Sequence, residues 1–187
     1  MEGADSLKEN IRWLILIYKT PVEPSTARVR VWRRVRELGG LYIQQAVCLF
    51  PDIADLRASV SELSREIMTL GGEAFPFLAS TESREGDEDL VERFRAQSNQ
   101  EYREILEQCK GLLDELTQEA AREKFTFAEI EENEGDLAYI ERWVEKARAR
   151  DFFGADLGEV VGKKLGECKA RMHEFEAEVF RRADLEH

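Results

Sequence analysis

The sequence predicts an α+β chain with an all-helical second half. Three observations carry this: a β-α-β-(β)-α-β order of apolar segments over the first eighty residues, a polar break at 80–87, and near-heptad apolar stripes after it.

Ile11 to Thr20 is a nearly continuous apolar run closed by Pro21, the pattern of a strand buried on both faces. Pro24-Ser25 opens a helix with Ser25 as N-cap. Val31, Trp32, Val35 and Leu38 are expected to face the sheet, and Gly39-Gly40 stops the helix. Leu41 to Phe50 is again apolar but is interrupted by Gln44-Gln45, so it is one bulged strand or a tight hairpin of two short strands. Pro51-Asp52 caps a second helix whose Leu56, Val60, Leu63, Ile67 and Leu70 recur at spacings of four and three before Gly71-Gly72. Glu73 to Ala79 is a last strand. Pro76 confines it to a sheet edge, because proline lacks the N–H that a central strand must donate. This order is that of a ferredoxin-like module, placed at residues 1–80.

The stretch STESREGD (80–87) is polar and marks the boundary of a helical region at 88–184. One helix is expected from Glu88 to Arg122, with Leu90, Phe94, Ile105, Cys109, Leu112 and Leu116 on its stripe. A second begins at Thr126, where Thr126 and Glu129 form a capping box and Phe125 staples to Ile130. It carries Leu137, Ile140 and Val144, and Arg148 and Arg150 suit its negative C-terminal end before Gly154. A third runs from Ala155 to Ala183 through Leu157, Val161, Leu165, Cys168, Met172, Phe175 and Val179. An antiparallel helical hairpin or three-helix bundle is the simplest packing. Leu185 to His187 reads as a tag remnant and carries no functional argument.

The chain's 187 residues have a net charge of −12, but the charge is uneven. Residues 1–50 hold eight Lys/Arg against five Asp/Glu, a net of +3, which leaves −15 for the remainder. An acidic body repels nucleic acid, so any nucleic-acid contact is expected from the first third. There the helix segment RVRVWRRVR places Arg30, Arg33 and Arg34 away from the apolar face, with Arg28 and Arg36 flanking it. Guanidinium groups grip phosphate or other tetrahedral oxyanions through paired N–H donors, which makes Arg28, Arg30, Arg33, Arg34 and Arg36 the candidate binding residues for DNA or an oxyanion. The bland alternative is a solvated helix face. The helix offers no Asn or Gln to read base edges.

Three cysteines, at 48, 109 and 168, have no CxxC pairing and suit a reducing, cytoplasmic setting. Each reads first as a small buried hydrophobe, and Cys48, close to the basic third, is the one candidate redox-sensing residue. The acidic run 129–136 lacks cation-loop spacing and a histidine partner, so no metal site is expected. No nucleophile elbow, phosphate-binding loop or cofactor motif is present; the expectation is a non-enzyme without a cofactor. The longest apolar run, Trp13 to Tyr18, has six residues, far short of the ~20 that span a bilayer, so no membrane association is expected.

The segments Trp13 to Tyr18, Pro21, Pro24-Ser25, Val31-Trp32-Arg33-Arg34, Leu38-Gly39, Leu41 to Cys48 and Phe50-Pro51 together resemble the N-terminal region of the ChrB family of chromate resistance proteins. The later RARDFFG (148–154) is similar to that family's segment between its last two helices. The resemblance implies a chromate-responsive transcriptional regulator of chromate efflux genes, with promoter DNA as partner and a response to an oxyanion; a homodimer is the expected assembly, and chromate or sulfate the ligand expected at the arginines. Members of the family carry a further C-terminal domain, so a stand-alone version and a fragment are both open. The alternative function is an oxyanion-sensing or protein-interaction module that does not bind DNA by itself. The α+β module is also distantly similar to the Cas2-like domain of PaaX-type repressors. Where Cas2 nucleases place an acidic metal ligand, this chain has Tyr18-Lys19-Thr20, which disfavours a metal-dependent nuclease.

Overall fold

A computed structural model describes residues 11–23 and 25–185. The chain forms two compact units, Met1–Phe94 and Arg95–His187.

The first unit is an antiparallel sheet in the order β2-β3-β1-β4, built from β1 (Arg12–Lys19), β2 (Leu41–Gln44), β3 (Val47–Pro51) and β4 (Glu73–Ser80). The crossovers are the helices α1 (Ser25–Glu37) and α2 (Ala54–Thr69). This is the expected ferredoxin-like topology, with β4 and its Pro76 on an edge. Both readings of Leu41 to Phe50 have a part in the answer: β2 and β3 form a hairpin turning at Gln45-Ala46, and the ladder carries a bulge between Tyr42 and Gln44.

The pairs Leu14↔Phe50 and Leu16↔Cys48 put four buried side chains on one sheet face. The helices cover that face. Phe50 and Val35 both close on Gly40, where a Cβ would stand 2.6 Å from the Phe50 ring, so this approach of helix end to strand requires glycine. Beyond the second helix, Gly71 has φ +83° and Gly72 has no room for a Cβ beside the Lys19 carbonyl, at 2.3 Å. The opposite face is covered only in part. Trp13 is buried and stacks on Phe94 at 5.8 Å, whereas Ile17, Phe75 and Phe77 are exposed. β1 is therefore not buried on both faces along its whole length.

Several local expectations are corrected. α1 buries Ala27, Val31 and Val35, at a strict spacing of four, and leaves Trp32 47% exposed beneath the Arg36 guanidinium at 5.5 Å. Ser25 is the first helical residue, so the cap position falls on residue 24, outside the described residues. Pro51 ends β3, and Ile53 occupies the N-cap of α2 without a side-chain bond. Asp52 instead receives Arg57 and, at 3.1 Å, Arg12.

The helix α3 (Arg84–Ala121) starts four residues before the expected Glu88, and the Ser83 hydroxyl accepts from the Gly86 N–H at 3.3 Å. The second unit takes the rest of α3 together with α4 (Phe127–Arg150) and α5 (Leu157–Leu185), in which Ile105, Cys109, Leu116, Ile140, Val144, Val161, Cys168, Met172 and Phe175 make a common core. Thr126 caps α4 and accepts from the Glu129 N–H at 3.3 Å, and both Phe125 and Ile130 join the core. Of the tag-like end, Leu185 closes α5 and residues 186 and 187 lie outside the described residues. No described helix is long and apolar enough to cross a membrane.

Candidate functional site

The burial of Ala27, Val31 and Val35 turns the other side of α1 outward, and α2 lies alongside with its own apolar stripe, Leu56, Val60, Leu63 and Ile67, turned inward. Between the outer sides of the two helices runs an open groove of about 1070 Å³. Arg30, Arg33 and Arg34 line it from α1, as expected, and Arg65 joins them from α2. Arg28 and Arg36 do not line the groove, and Arg36 stands over Trp32. The structure thus brings three of the five predicted arginines together and adds one that sequence reasoning missed. The signal for Arg65 was present, since Glu62, Arg65 and Thr69 recur at three and four on the side of α2 away from its apolar stripe.

Carboxylates share the groove. Glu37, Glu62 and Glu66 line it with the four arginines. The Arg30 Nε donates to Glu66 Oε1, and the Arg34 Nη1 donates to Glu37 Oε2 at 3.2 Å. Arg33 and Arg65 make no ion pair among the described residues. The Thr26 and Thr69 side chains also line the groove. Guanidinium forks present charge and direction to an anion, and the Thr26 hydroxyl a neutral hydrogen bond, while the Thr69 hydroxyl donates to the Arg65 carbonyl at 2.9 Å.

Cys48 lies in β3 at the centre of the sheet, on the helix-covered face, with no exposed surface. Burial pushes its thiol up to about 12, despite a hydrogen bond with Tyr42 that acts the other way. Tyr42 in turn shares a 2.9 Å hydroxyl contact with Tyr18. Redox sensing needs an accessible thiolate beside positive charge, and Cys48 has the opposite surroundings. Cys109 and Cys168 are equally buried, in the core of the second unit.

Elsewhere, Glu129 at the head of the acidic run pairs with Lys124 at 3.0 Å. No group of three or more His, Cys, Asp and Glu side chains is arranged to hold a metal among the described residues. His173 is a surface residue, 3.9 Å from Glu176.

A family model described as the N-terminal region of Protein ChrB matches residues 28–186. The Protein ChrB of Cupriavidus metallidurans is 27% identical over 92 residues, which cover 49% of this chain and 28% of that relative. The chain therefore spans less than a third of the relative's length in this match.

Proposed function

Because the chain belongs to the family of ChrB N-terminal regions, we propose that it is the DNA-binding module of a chromate-responsive transcriptional regulator in a chromate-resistance system. The observation that carries this reading is the convergence of Arg30, Arg33, Arg34 and Arg65 on one open groove in a chain of net charge −12. In a body so acidic, phosphate has few other places to approach.

The mechanism follows from the groove. Guanidiniums of α1 and α2 contact backbone phosphates, releasing condensed counterions, and the hydroxyl of Thr26 fixes register. Two copies related by a two-fold axis would present two grooves to successive turns of a duplex, which is why a homodimer belongs to the reading. Chromate, a dianionic tetrahedral oxyanion, matches the same guanidinium donors and would compete with phosphate. The reading is one of binding rather than catalysis, since the groove presents guanidiniums set against carboxylates.

A salt titration of binding to duplex DNA from an adjacent promoter, beside a scrambled duplex and with chromate in half the samples, tests it. Specific binding that chromate weakens is the expected result. Absence of binding to both duplexes would leave the second reading, an oxyanion-sensing or protein-interaction module that does not engage DNA alone. The ion pairs Arg30–Glu66 and Arg34–Glu37, which neutralise part of the groove, favour that alternative.

A further inference from the structure

We propose that Glu66 is a built-in competitor for the anion, occupying the Arg30 guanidinium until a tetrahedral oxyanion displaces it. The inference rests on the reading of the α1–α2 groove as an anion site.

The four groove arginines are not equivalent. Arg33 and Arg65 make no ion pair among the described residues, and Arg34 is bonded through one terminal nitrogen to a neighbour on its own helix. Arg30 differs because its Nε is taken by a carboxylate from the other helix, 36 residues away. A phosphate is gripped best through two parallel N–H donors of one guanidinium, and the edge formed by Nε and one Nη is such a pair. Glu66 removes that edge from use.

The carboxylate is well placed to hold its position. Glu66 precedes Ile67, which is fully buried, and its backbone carbonyl accepts the Leu70 N–H at the helix end. Its side chain is 23% exposed, against 66% for Arg30, so the acid is the fixed partner and the arginine the movable one. An oxyanion entering the groove finds Arg33 and Arg65 without an ion pair among the described residues and gains Arg30 only when that guanidinium swings off Glu66. Weak or singly charged anions would then be disfavoured against a phosphate diester array or a dianion, because only the latter repay the broken pair.

The test compares the wild type with E66Q, R30Q, the R30Q/E66Q double variant and E82Q, which removes one negative charge from an exposed residue outside the groove. Two probes are used, a short DNA duplex followed by fluorescence anisotropy across a salt series, and inorganic phosphate followed by calorimetry. E66Q is expected to tighten binding about twofold to fivefold, the range an exposed ion pair supports. It is also expected to steepen the log–log salt slope for the duplex by up to about 0.9. The gain should vanish in the R30Q background and be absent from E82Q. Equal affinity of E66Q and wild type for both probes overturns the proposal, as does a gain that survives R30Q or that E82Q matches. If no variant binds the duplex while E66Q gains phosphate affinity through Arg30, the DNA reading fails and the competitor role stands. Circular dichroism melting of E66Q and of E66A secures the comparison against misfolding.

Discussion

The carboxylate of Asp87, in the first turn of α3, accepts a hydrogen bond from the buried indole N–H of Trp13 in β1 at 2.7 Å. The Ile11 amide and the Thr81 hydroxyl complete its shell at 2.9 and 2.8 Å. A polar segment between two domains would tolerate change at this position; a buried three-donor carboxylate does not. Asp87→Ala strands those donors, and a loss of about 2–4 kcal/mol is expected in urea unfolding monitored by tryptophan fluorescence.

The same carboxylate should mark the acid limb of stability. Burial works to raise its pKa, but the bonds from Trp13, Thr81 and Ile11 together outweigh it and hold the group below the ordinary carboxylate range. A depressed native value means that the unfolded state binds more protons, so this contribution is full above the unfolded pKa, about 4, and is lost as pH falls through the native value. In Asp87→Asn the stability lost on acidification should shrink, as read by urea midpoints across pH 2 to 6.

Charge reversal at Arg30, Arg33 and Arg34 together should abolish duplex binding. Arg65→Gln alone should lower the log–log salt slope by about 0.9, the value of one phosphate contact. Arg28→Gln and Arg36→Gln, outside the groove, should change the slope by less than half as much. Anisotropy titrations over a salt series read all three.

The thiol of Cys48 should be chemically silent. With its pKa pushed to about 12 by burial, native Cys48 is expected to alkylate at pH 8 at least about a hundredfold more slowly than in the urea-unfolded chain. Peptide mass mapping after timed iodoacetamide exposure gives the rates, and rapid labelling of the native protein would restore a sensing role.

In the second unit, Glu119 is buried beside Asn133, whose amide donates to it at 2.8 Å, and burial with the neighbouring Glu129 pushes its carboxyl up to about 7. The unfolded chain releases that proton at a lower pH, so the native state binds more protons in between, and stability falls as pH rises through about 7. Glu119→Gln should keep the bond to Asn133 and flatten this decline, raising Tm by about 3 °C at pH 8 and little at pH 5. Scanning calorimetry at the two pH values checks it.

What could be read in advance was whatever depends on local periodicity. The α2 stripe from Leu56 to Ile67, the Thr126 cap and the Pro76 edge all follow from residue spacing or from one residue's own chemistry. The β2–β3 turn was ambiguous for a physical reason: Ala46 adopts φ +61° where glycine or asparagine would have announced the turn. Trp32 misled because hydrophobicity outweighed geometry; it stands about 100° round the helix from Val31, past the edge of the buried stripe. The groove itself was only half legible. The outward arginines of α1 were evident and the spacing of Glu62, Arg65 and Thr69 marks the outer side of α2, but that these two sides would line one groove is a property of packing between two crossovers.

Pro76 has a consequence for what the edge of the sheet offers to a second strand. β4 is an open edge eight residues long that exposes Phe75, Phe77 and Leu78, the composition from which intermolecular sheets grow. A proline paired opposite Leu16 directs its donorless nitrogen to the open side, leaving a gap in the row that a second strand would have to bridge. An added strand would thus meet a missing donor in the middle of this exposed apolar margin, at the residue least suited to being in a strand at all.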